Sequence, residues 1–297
     1  MKNKSVVIII VVSSCVLVFG FVAVTLFISM AGDFGYEFSG FGPKVAVVEI
    51  YGQIVDSRDV VRQLKKWTDD GAVKAIVLDI DSPGGGVAAS QEMYEQVLKT
   101  REEGKIVVAG MRSVAASGAY YVACAADQIV ANPGTLTGSI GVIVSFPTAQ
   151  RLFDKIGIRW EIVKSGDLKD AGDWSHPMTP EEERMLKAVI DDTYEQFVET
   201  VAEGRGRTKE EIYPLADGSI FTGRQARNLG LVDTLGTAED AISLAGDLAG
   251  LGRDPDVVRE HKRQAGILDL LTGGMKFLDR LSEIEQRSRP ALMYLYE

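Results

Sequence analysis

Apolar and polar positions alternate along the chain in blocks that predict a parallel α/β fold. Near-continuous apolar runs, rich in β-branched residues, occupy 45–50, 75–80 and 106–111. Stretches with helical spacing lie between them, over 60–68 and 87–99. Strands of a parallel sheet are covered by helices on both faces, so their sequences are apolar almost throughout. The pattern therefore predicts an α/β domain with a mostly parallel sheet over residues 44–250.

The second half of this domain repeats the pattern less regularly. The sequence predicts strands at 129–131, 140–144 and 160–164, and helices near 116–126, 148–156, 223–229 and 237–249. Thr179 is followed by Pro-Glu-Glu-Glu, a capped helix start that predicts a long helix reaching about residue 203. Residues 251–297 are predicted to form a helical extension, amphipathic over 267–287, and an apolar tail.

The N-terminal stretch has a different pattern. The run from Ser5 to Gly32 carries no charge, follows Lys2 and Lys4, and precedes acidic residues. It is long enough to cross a bilayer, and the positive-inside rule keeps the N-terminus in the cytoplasm and the main domain outside. We expect a cytoplasmic tip (1–4), a single-pass anchor in the cell membrane (5–31) and a linker (32–43). A cleaved signal peptide is the alternative, although its apolar core is usually shorter.

Composition excludes several classes of function. The net charge is −10, with no cluster of basic residues, so a nucleic-acid partner is not expected. The two cysteines, Cys15 and Cys124, form no disulfide framework. The two histidines, His176 and His261, belong to no ligand-spaced motif, so neither a metal site nor a cofactor is expected.

Three segments contain residues suited to chemistry. Asp81–Gly86 is a glycine-rich turn after a strand, where backbone N–H groups can approach a ligand. Ser113–Tyr121 places Ser117 at a helix start among small residues. Lys164–Gly172 offers lysines after a predicted strand. Each segment alone also has an ordinary explanation, as a tight turn, a helix cap and a solvated loop respectively.

Taken together, these motifs resemble those of the signal peptide peptidase A family, within the ClpP/crotonase superfamily. The resemblance extends over about residues 45–233 and adds Thr137-Gly-Ser-Ile-Gly-Val, Phe221-Thr-Gly-Arg-Gln-Ala and Gly230-Leu-Val-Asp. It implies a ClpP/crotonase-like fold of repeated ββα units. Two positions depart from the family's pattern: Ala119 replaces a common glycine, and Asp173–His176 is unusual.

The resemblance also implies roles for individual residues. Ser117 matches the nucleophile, Lys169 matches the general base, and Ser139 matches the serine that orients the lysine. The oxyanion hole is implied to consist of backbone N–H groups of glycines: Gly84 or Gly85, and Gly118.

A serine–lysine pair is chemically sufficient for peptide hydrolysis. A serine hydroxyl attacks only when a positioned base accepts its proton. No histidine follows Ser117 until His176, which argues against a Ser-His-Asp site. A lysine can accept the proton if burial favours its neutral form. The carboxylates of Asp167 and Asp170 must then point away from Lys169.

These features predict an extracytoplasmic, membrane-anchored serine endopeptidase that degrades apolar peptides such as cleaved signal peptides. The resemblance implies a homo-oligomeric ring, with an octamer as one size, whose sites are shared between neighbouring subunits. A crotonase-like acyl-CoA enzyme and a noncatalytic membrane scaffold are the alternatives.

Overall fold

The computed structural model describes residue 20, residues 42–260 and the backbone of residues 293–295. Within these ranges no helix has the length and apolar character of a membrane span. The predicted tip (1–4), the anchor (5–31) apart from residue 20, nearly all of the linker and the amphipathic helix at 267–287 lie outside the described residues.

A mixed α/β domain forms the described part of the chain. Its strands are β1 (Lys44–Tyr51), β2 (Val73–Ser82), β3 (Gly84–Gly86), β4 (Ile106–Ala116), β5 (Gln128–Ala131), β6 (Leu136–Gly138), β7 (Ile220–Thr222), β8 (Thr234–Leu235), β9 (Asp256–Arg259) and β10 (Met293–Leu295). Its helices are α1 (Arg58–Asp69), α2 (Val87–Glu102), α3 (Gly118–Ala123), α4 (Gln150–Ile156), α5 (Pro180–Arg205), α6 (Lys209–Ile212), α7 (Gly223–Asn228) and α8 (Ala238–Leu248), with a 3₁₀ turn at Tyr213–Leu215.

The main sheet is mostly parallel, as predicted. Its order is β7-β6-β4-β2-β1-β9, with β5 and β8 branching from β4. Among the described strand pairs of this sheet, only β6–β7 is antiparallel. The long strand β4 pairs with β5 through its first half and with β6 through its last residues. This divergence opens the sheet at the carboxyl end of β4, where Ser117 follows.

Both faces of the sheet are buried. On β1, Ala46 and Val48 contribute to the larger apolar cluster, whereas Val45 and Val47 belong to a second cluster that includes Ala241 and other residues of α8. Burying a side chain of valine size contributes about 1.5 kcal/mol or more. Because both faces of the sheet are buried, apolar and polar residues do not alternate along its strands.

Two predicted strands are wrong. The strand predicted at 140–144 lies instead at Leu136–Gly138, because Gly138 and Ser139 both adopt positive φ angles that end it. Residues 160–164 form no strand. Their apolar side chains are largely exposed, and no neighbouring strand pairs with them within the described ranges. At the other end of the domain, β9 pairs with β1 beyond the predicted boundary at residue 250.

Candidate active site

Ser117 lies at the junction between β4 and α3 in an unusual backbone conformation. Its φ and ψ angles are 53° and −120°. Only Ser117 and Ser139, among the non-glycine residues that the structure describes, have positive φ. Such conformations cost about 1–3 kcal/mol and are concentrated at functional sites. The Ser117 hydroxyl is buried and has no hydrogen-bond partner among the described residues.

The backbone on both sides holds Ser117 in this conformation. The last residue of β4, Ala116, pairs with Gly138 of β6. The Ser117 amide donates to the Gly138 carbonyl oxygen (2.8 Å), and the Ser117 carbonyl accepts from the Tyr121 amide (2.8 Å). Helix α3 begins with Gly118, whose amide has no partner earlier in the helix. An N–H group that the helix itself leaves unpaired therefore follows the serine directly.

Two tyrosines fix the position of α3 in the core. The Tyr120 hydroxyl donates to the Leu231 carbonyl oxygen (2.8 Å). The Tyr121 hydroxyl accepts from Thr200 of α5 (2.9 Å), and its ring lies 5.1 Å from that of Tyr94. Sequence reasoning assigned no role to these tyrosines. The signal was present, because buried tyrosine hydroxyls in an alanine-rich helix need partners.

The glycine turn runs beside Ile54. The Gly86 amide donates to the Ile54 carbonyl oxygen (2.7 Å), and the Ile54 amide donates to the Gly84 carbonyl oxygen (2.8 Å). A Cβ atom on Gly85 would lie 2.0 Å from the Ile54 oxygen, so only glycine fits there. The Gly84 amide already donates to the Ser82 hydroxyl (3.1 Å). Because strand groups alternate in direction, the Gly85 N–H faces the edge opposite Ile54, which favours Gly85 over Gly84 as an oxyanion donor.

That opposite edge of β3 accepts another strand. Residues 293–295 pair with it in antiparallel fashion, with Met293 opposite Gly86 and Leu295 opposite Gly84. The edge that carries the Gly85 N–H is therefore able to bind an extended peptide backbone.

Ser139 follows β6 and also has a positive φ, of 50°. Its amide donates to the Ser219 carbonyl oxygen (2.8 Å), and its side chain is largely buried. The Phe-Thr-Gly-Arg-Gln-Ala motif explains this arrangement. Phe221 packs so closely on Gly138 that a Cβ there would lie 2.6 Å from its ring. Thr222 caps α7 through a capping box with Gln225. The motif therefore packs against the turn that contains Ser139 and holds its backbone in place.

Lys169 is not bonded to these groups in the part of the chain that the structure describes. It is exposed, in a turn where its amide donates to the Gly166 carbonyl oxygen (3.1 Å). Its amine makes no hydrogen bond or ion pair with any residue in the described ranges. Ser117 and Ser139 thus follow neighbouring strands of the central sheet, and the glycine strand β3, which pairs with β10 in a separate sheet, follows β2 directly. No bond within the described residues joins Lys169 to any of them.

The carboxylate of Asp170 has other partners than Lys169. Its Oδ1 accepts from the Lys164 amine (2.7 Å), and its Oδ2 lies 3.2 Å from His176 Nε2. Asp170 therefore bonds to Lys164 and His176 rather than to Lys169. Around the turn, large apolar side chains are exposed: Leu152, Ile156, Ile158, Trp160, Val163, Leu168 and Trp174.

Cys124 is unsuited to a catalytic role. Burial raises the pKa of its thiol to about 12, and the side chain is almost fully buried. The thiolate form is therefore scarce at neutral pH. Cys124 is therefore a residue of the apolar core.

Family models match most of this domain. The model of Clp protease matches residues 44–134, and that of peptidase family S49 matches residues 99–252. The chain belongs to peptidase family S49. The predicted resemblance to signal peptide peptidases is thereby confirmed at the level of the family.

Several named relatives of this S49 peptidase are themselves described as proteases. "Putative protease slr0021" of Synechocystis sp. is 42% identical over 81% of this chain and 87% of its own length. Protease 4 of Salmonella typhi is 36% identical over 84% of this chain, and "Putative signal peptide peptidase SppA" of Enterococcus faecium is 38% identical over 62%. The matched regions cover only 42% and 54% of those two proteins.

Proposed function

We propose that this S49 protein is a membrane-anchored serine endopeptidase with Ser117 as nucleophile and Lys169 as general base. The observation that carries the proposal is the Ser117 hydroxyl. It is buried and unpartnered, in a backbone conformation that few serines adopt, at the start of a helix. A buried hydroxyl without a partner is energetically unfavourable, and a catalytic role explains why it is retained.

The reaction proceeds in two steps. Ser117 Oγ attacks the carbonyl carbon of the peptide while its proton passes to the neutral amine of Lys169. The N–H groups of Gly85 and Gly118 stabilise the oxyanion. The tetrahedral intermediate then expels the amine, which takes the proton from Lys169, and leaves an acyl-enzyme on Ser117. Water then attacks the ester while Lys169 accepts its proton, and Lys169 returns that proton to Ser117 Oγ as the peptide acid leaves.

The peptide binds as an extended strand along β3. Support comes from residues 293–295, whose backbone pairs with this strand in the same way. Backbone pairing is independent of side-chain identity, and alternate side chains would enter apolar pockets. Both properties suit apolar segments such as the remnants of cleaved signal peptides. The predicted anchor at 5–31 would keep the site near the membrane in which such remnants are left, on the extracytoplasmic side.

A neighbouring subunit supplies Lys169 in a ring. A lysine base needs removal from water, whereas Lys169 is exposed on the single chain. The apolar side chains around it are exposed as well, including Trp160 and Val163. Contiguous apolar surface of this kind marks protein interfaces. Docking this surface on the next subunit would desolvate the amine and bring it to Ser117 and Ser139.

Labelling with a fluorophosphonate probe tests the nucleophile. The full-length protein in detergent should be labelled on Ser117 and lose the ability to hydrolyse peptide. Ser117→Ala should abolish labelling, whereas Ser113→Ala, four residues earlier on the exposed face of β4, should retain it. Labelling that persists in Ser117→Ala would refute the assignment. An unlabelled, folded wild type would favour a noncatalytic scaffold.

A further inference from the structure

Three side chains near Lys169 converge on one point. One ligand atom from each of Asp170, His176 and Glu182 lies within 4.8 Å of the other two. Asp170 belongs to the lysine turn, and Glu182 belongs to the first turn of α5. Sequence spacing did not indicate a metal site, because the ligands are separated by five residues each and only one is a histidine.

Glu182 has one oxygen without a partner. The residue is 1% exposed. Its Oε2 accepts from the Thr179 amide (2.8 Å) and completes the capping box, whereas Oε1 is buried without a hydrogen bond from any described residue. A buried, unpaired carboxylate oxygen costs several kcal/mol unless a proton or a cation neutralises it.

The histidine is oriented as a metal ligand. A carbonyl oxygen only accepts, so the contact between His176 Nδ1 and the Pro177 oxygen (2.9 Å) places a proton on Nδ1. The lone pair of the neutral ring then lies on Nε2, which is 3.2 Å from Asp170 Oδ2. With the ring neutral, two acceptors face each other across this gap. The contacts with Pro177 and Asp170 raise the pKa of His176, so without an ion the ring takes up a second proton more readily and then donates to Asp170. Metal-bound histidines commonly donate their other N–H to a backbone carbonyl in this way.

We propose that Asp170, His176 and Glu182 bind one zinc ion, with water in the fourth position. Ligands of a tetrahedral zinc ion lie about 3.3 Å apart, given bonds of about 2.0–2.1 Å. The Asp170–His176 contact already has this length, and the Glu182 oxygen would move to the same separation from its place within 4.8 Å of both. One nitrogen and two carboxylates suit zinc better than magnesium or calcium, which prefer oxygen ligands only.

Charges around the site partly oppose the ion. The amine of Lys164 donates to Asp170 Oδ1 (2.7 Å) and to the Asp167 carbonyl oxygen (2.9 Å). The carboxylate of Asp173 accepts a hydrogen bond from the Ser175 amide. Its negative charge also interacts electrostatically with His176. Two ligand carboxylates against one ammonium leave the site negative when His176 is neutral, so a divalent cation is attracted. The ion would tie the lysine turn to the start of α5.

The test is metal binding by full-length protein purified without a histidine tag and stripped with a chelator. Titration calorimetry should show one zinc ion per chain, and cobalt should give the visible absorption of a tetrahedral site. His176→Ala and Glu182→Gln should weaken zinc binding by about tenfold or more. Glutamine keeps the capping box, so Glu182→Gln should fold normally.

Glu183→Gln is the matched control, because it removes an exposed acid from the same helical turn and should leave binding unchanged. Zinc should also protect residues 164–182 from limited proteolysis in the wild type but not in His176→Ala. Equal affinity in wild type and variants, or no saturable binding, would overturn the proposal and indicate a proton shared by His176 and Asp170. None of these measurements depends on peptidase activity.

Discussion

The region around the serine and the region around the lysine are packed in opposite ways. Ser117 follows a central strand, its hydroxyl is buried, and every residue of α3 is buried with it. Lys169 lies in an exposed turn, within a stretch whose tryptophans and aliphatic side chains face solvent. The first region is fully buried by residues of its own chain. The second has the composition of an interface, and its difference from the first is the basis of the shared-site proposal.

Mixing two inactive variants is the strongest test of the proposal that the serine region of one chain meets the lysine region of its neighbour. Ser117→Ala and Lys169→Ala should each lower kcat by about 10⁴-fold or more, because each removes an essential group. If neighbouring chains share sites, random mixing in a closed ring should restore roughly a quarter of wild-type activity. The measurement is peptide hydrolysis by co-assembled oligomers of verified composition.

The control replaces Lys169→Ala with the double variant Ser117→Ala/Lys169→Ala. These mixtures contain no intact serine, so activity should not return. Failure of the single variants to complement would mean that each chain builds its own site, and that the exposed lysine turn moves onto Ser117 of the same chain.

Gly85→Ala should have the next largest effect. The added methyl would collide with the Ile54 carbonyl, displace β3 and move the Gly85 N–H, so kcat should fall about 10²–10³-fold. Gly86→Ala is the matched control, because a Cβ there lies 3.6 Å from the same oxygen, an ordinary contact. Similar kinetic parameters for the two variants would exclude the close approach to Ile54 as a determinant of catalysis.

Val163→Lys tests the exposed region. Val163 is fully exposed on the single chain, and burial of such a side chain contributes about 1.5 kcal/mol or more. A charge in its place should weaken assembly by about tenfold or more, as measured by analytical ultracentrifugation in detergent. Leu248→Lys, at an exposed position of α8, should not change the assembly. If both variants assemble like the wild type, the contact surface lies elsewhere.

The smallest effect concerns Ser139. Both Ser139→Ala and Ser139→Gly remove the hydroxyl and should lower kcat about equally, with little change in KM. Their stabilities should differ, because glycine accepts a φ of 50° whereas alanine is strained by about 1–2 kcal/mol. Thermal melting measures this difference. A rise in KM alone would instead place Ser139 in substrate binding.

The sequence predicted the packed region well and the exposed region poorly. Strands β1, β2 and β4 are buried on both faces, so their apolar runs were unambiguous. The stretch at 160–164 has the same apolar character, but it pairs with no strand of the described chain, and its residues were wrongly predicted as one. Periodicity reports that a segment has an apolar surface. It does not report whether that surface is covered within the chain.

The candidate site shows the same limit. Gly85, rather than Gly84, became the favoured donor only when the Ser82 hydroxyl was seen to occupy the Gly84 amide. Tyr120 and Tyr121 were missed because their partners, Leu231 and Thr200, are distant in sequence. The convergence of His176 with two carboxylates likewise arises from a turn and a helix start, which no spacing rule for metal ligands describes.

The strand at residues 293–295 has a consequence for enzyme kinetics. Because it belongs to the same chain as β3, its occupancy of that edge does not fall on dilution of the protein. A peptide that binds along β3 must first displace residues 293–295. These residues therefore act as a competitive inhibitor, and because they are part of the chain they cannot be removed by purification. Such competition raises the apparent KM and leaves kcat unchanged. Affinities measured on the intact chain would therefore underestimate how tightly the bare edge binds peptide.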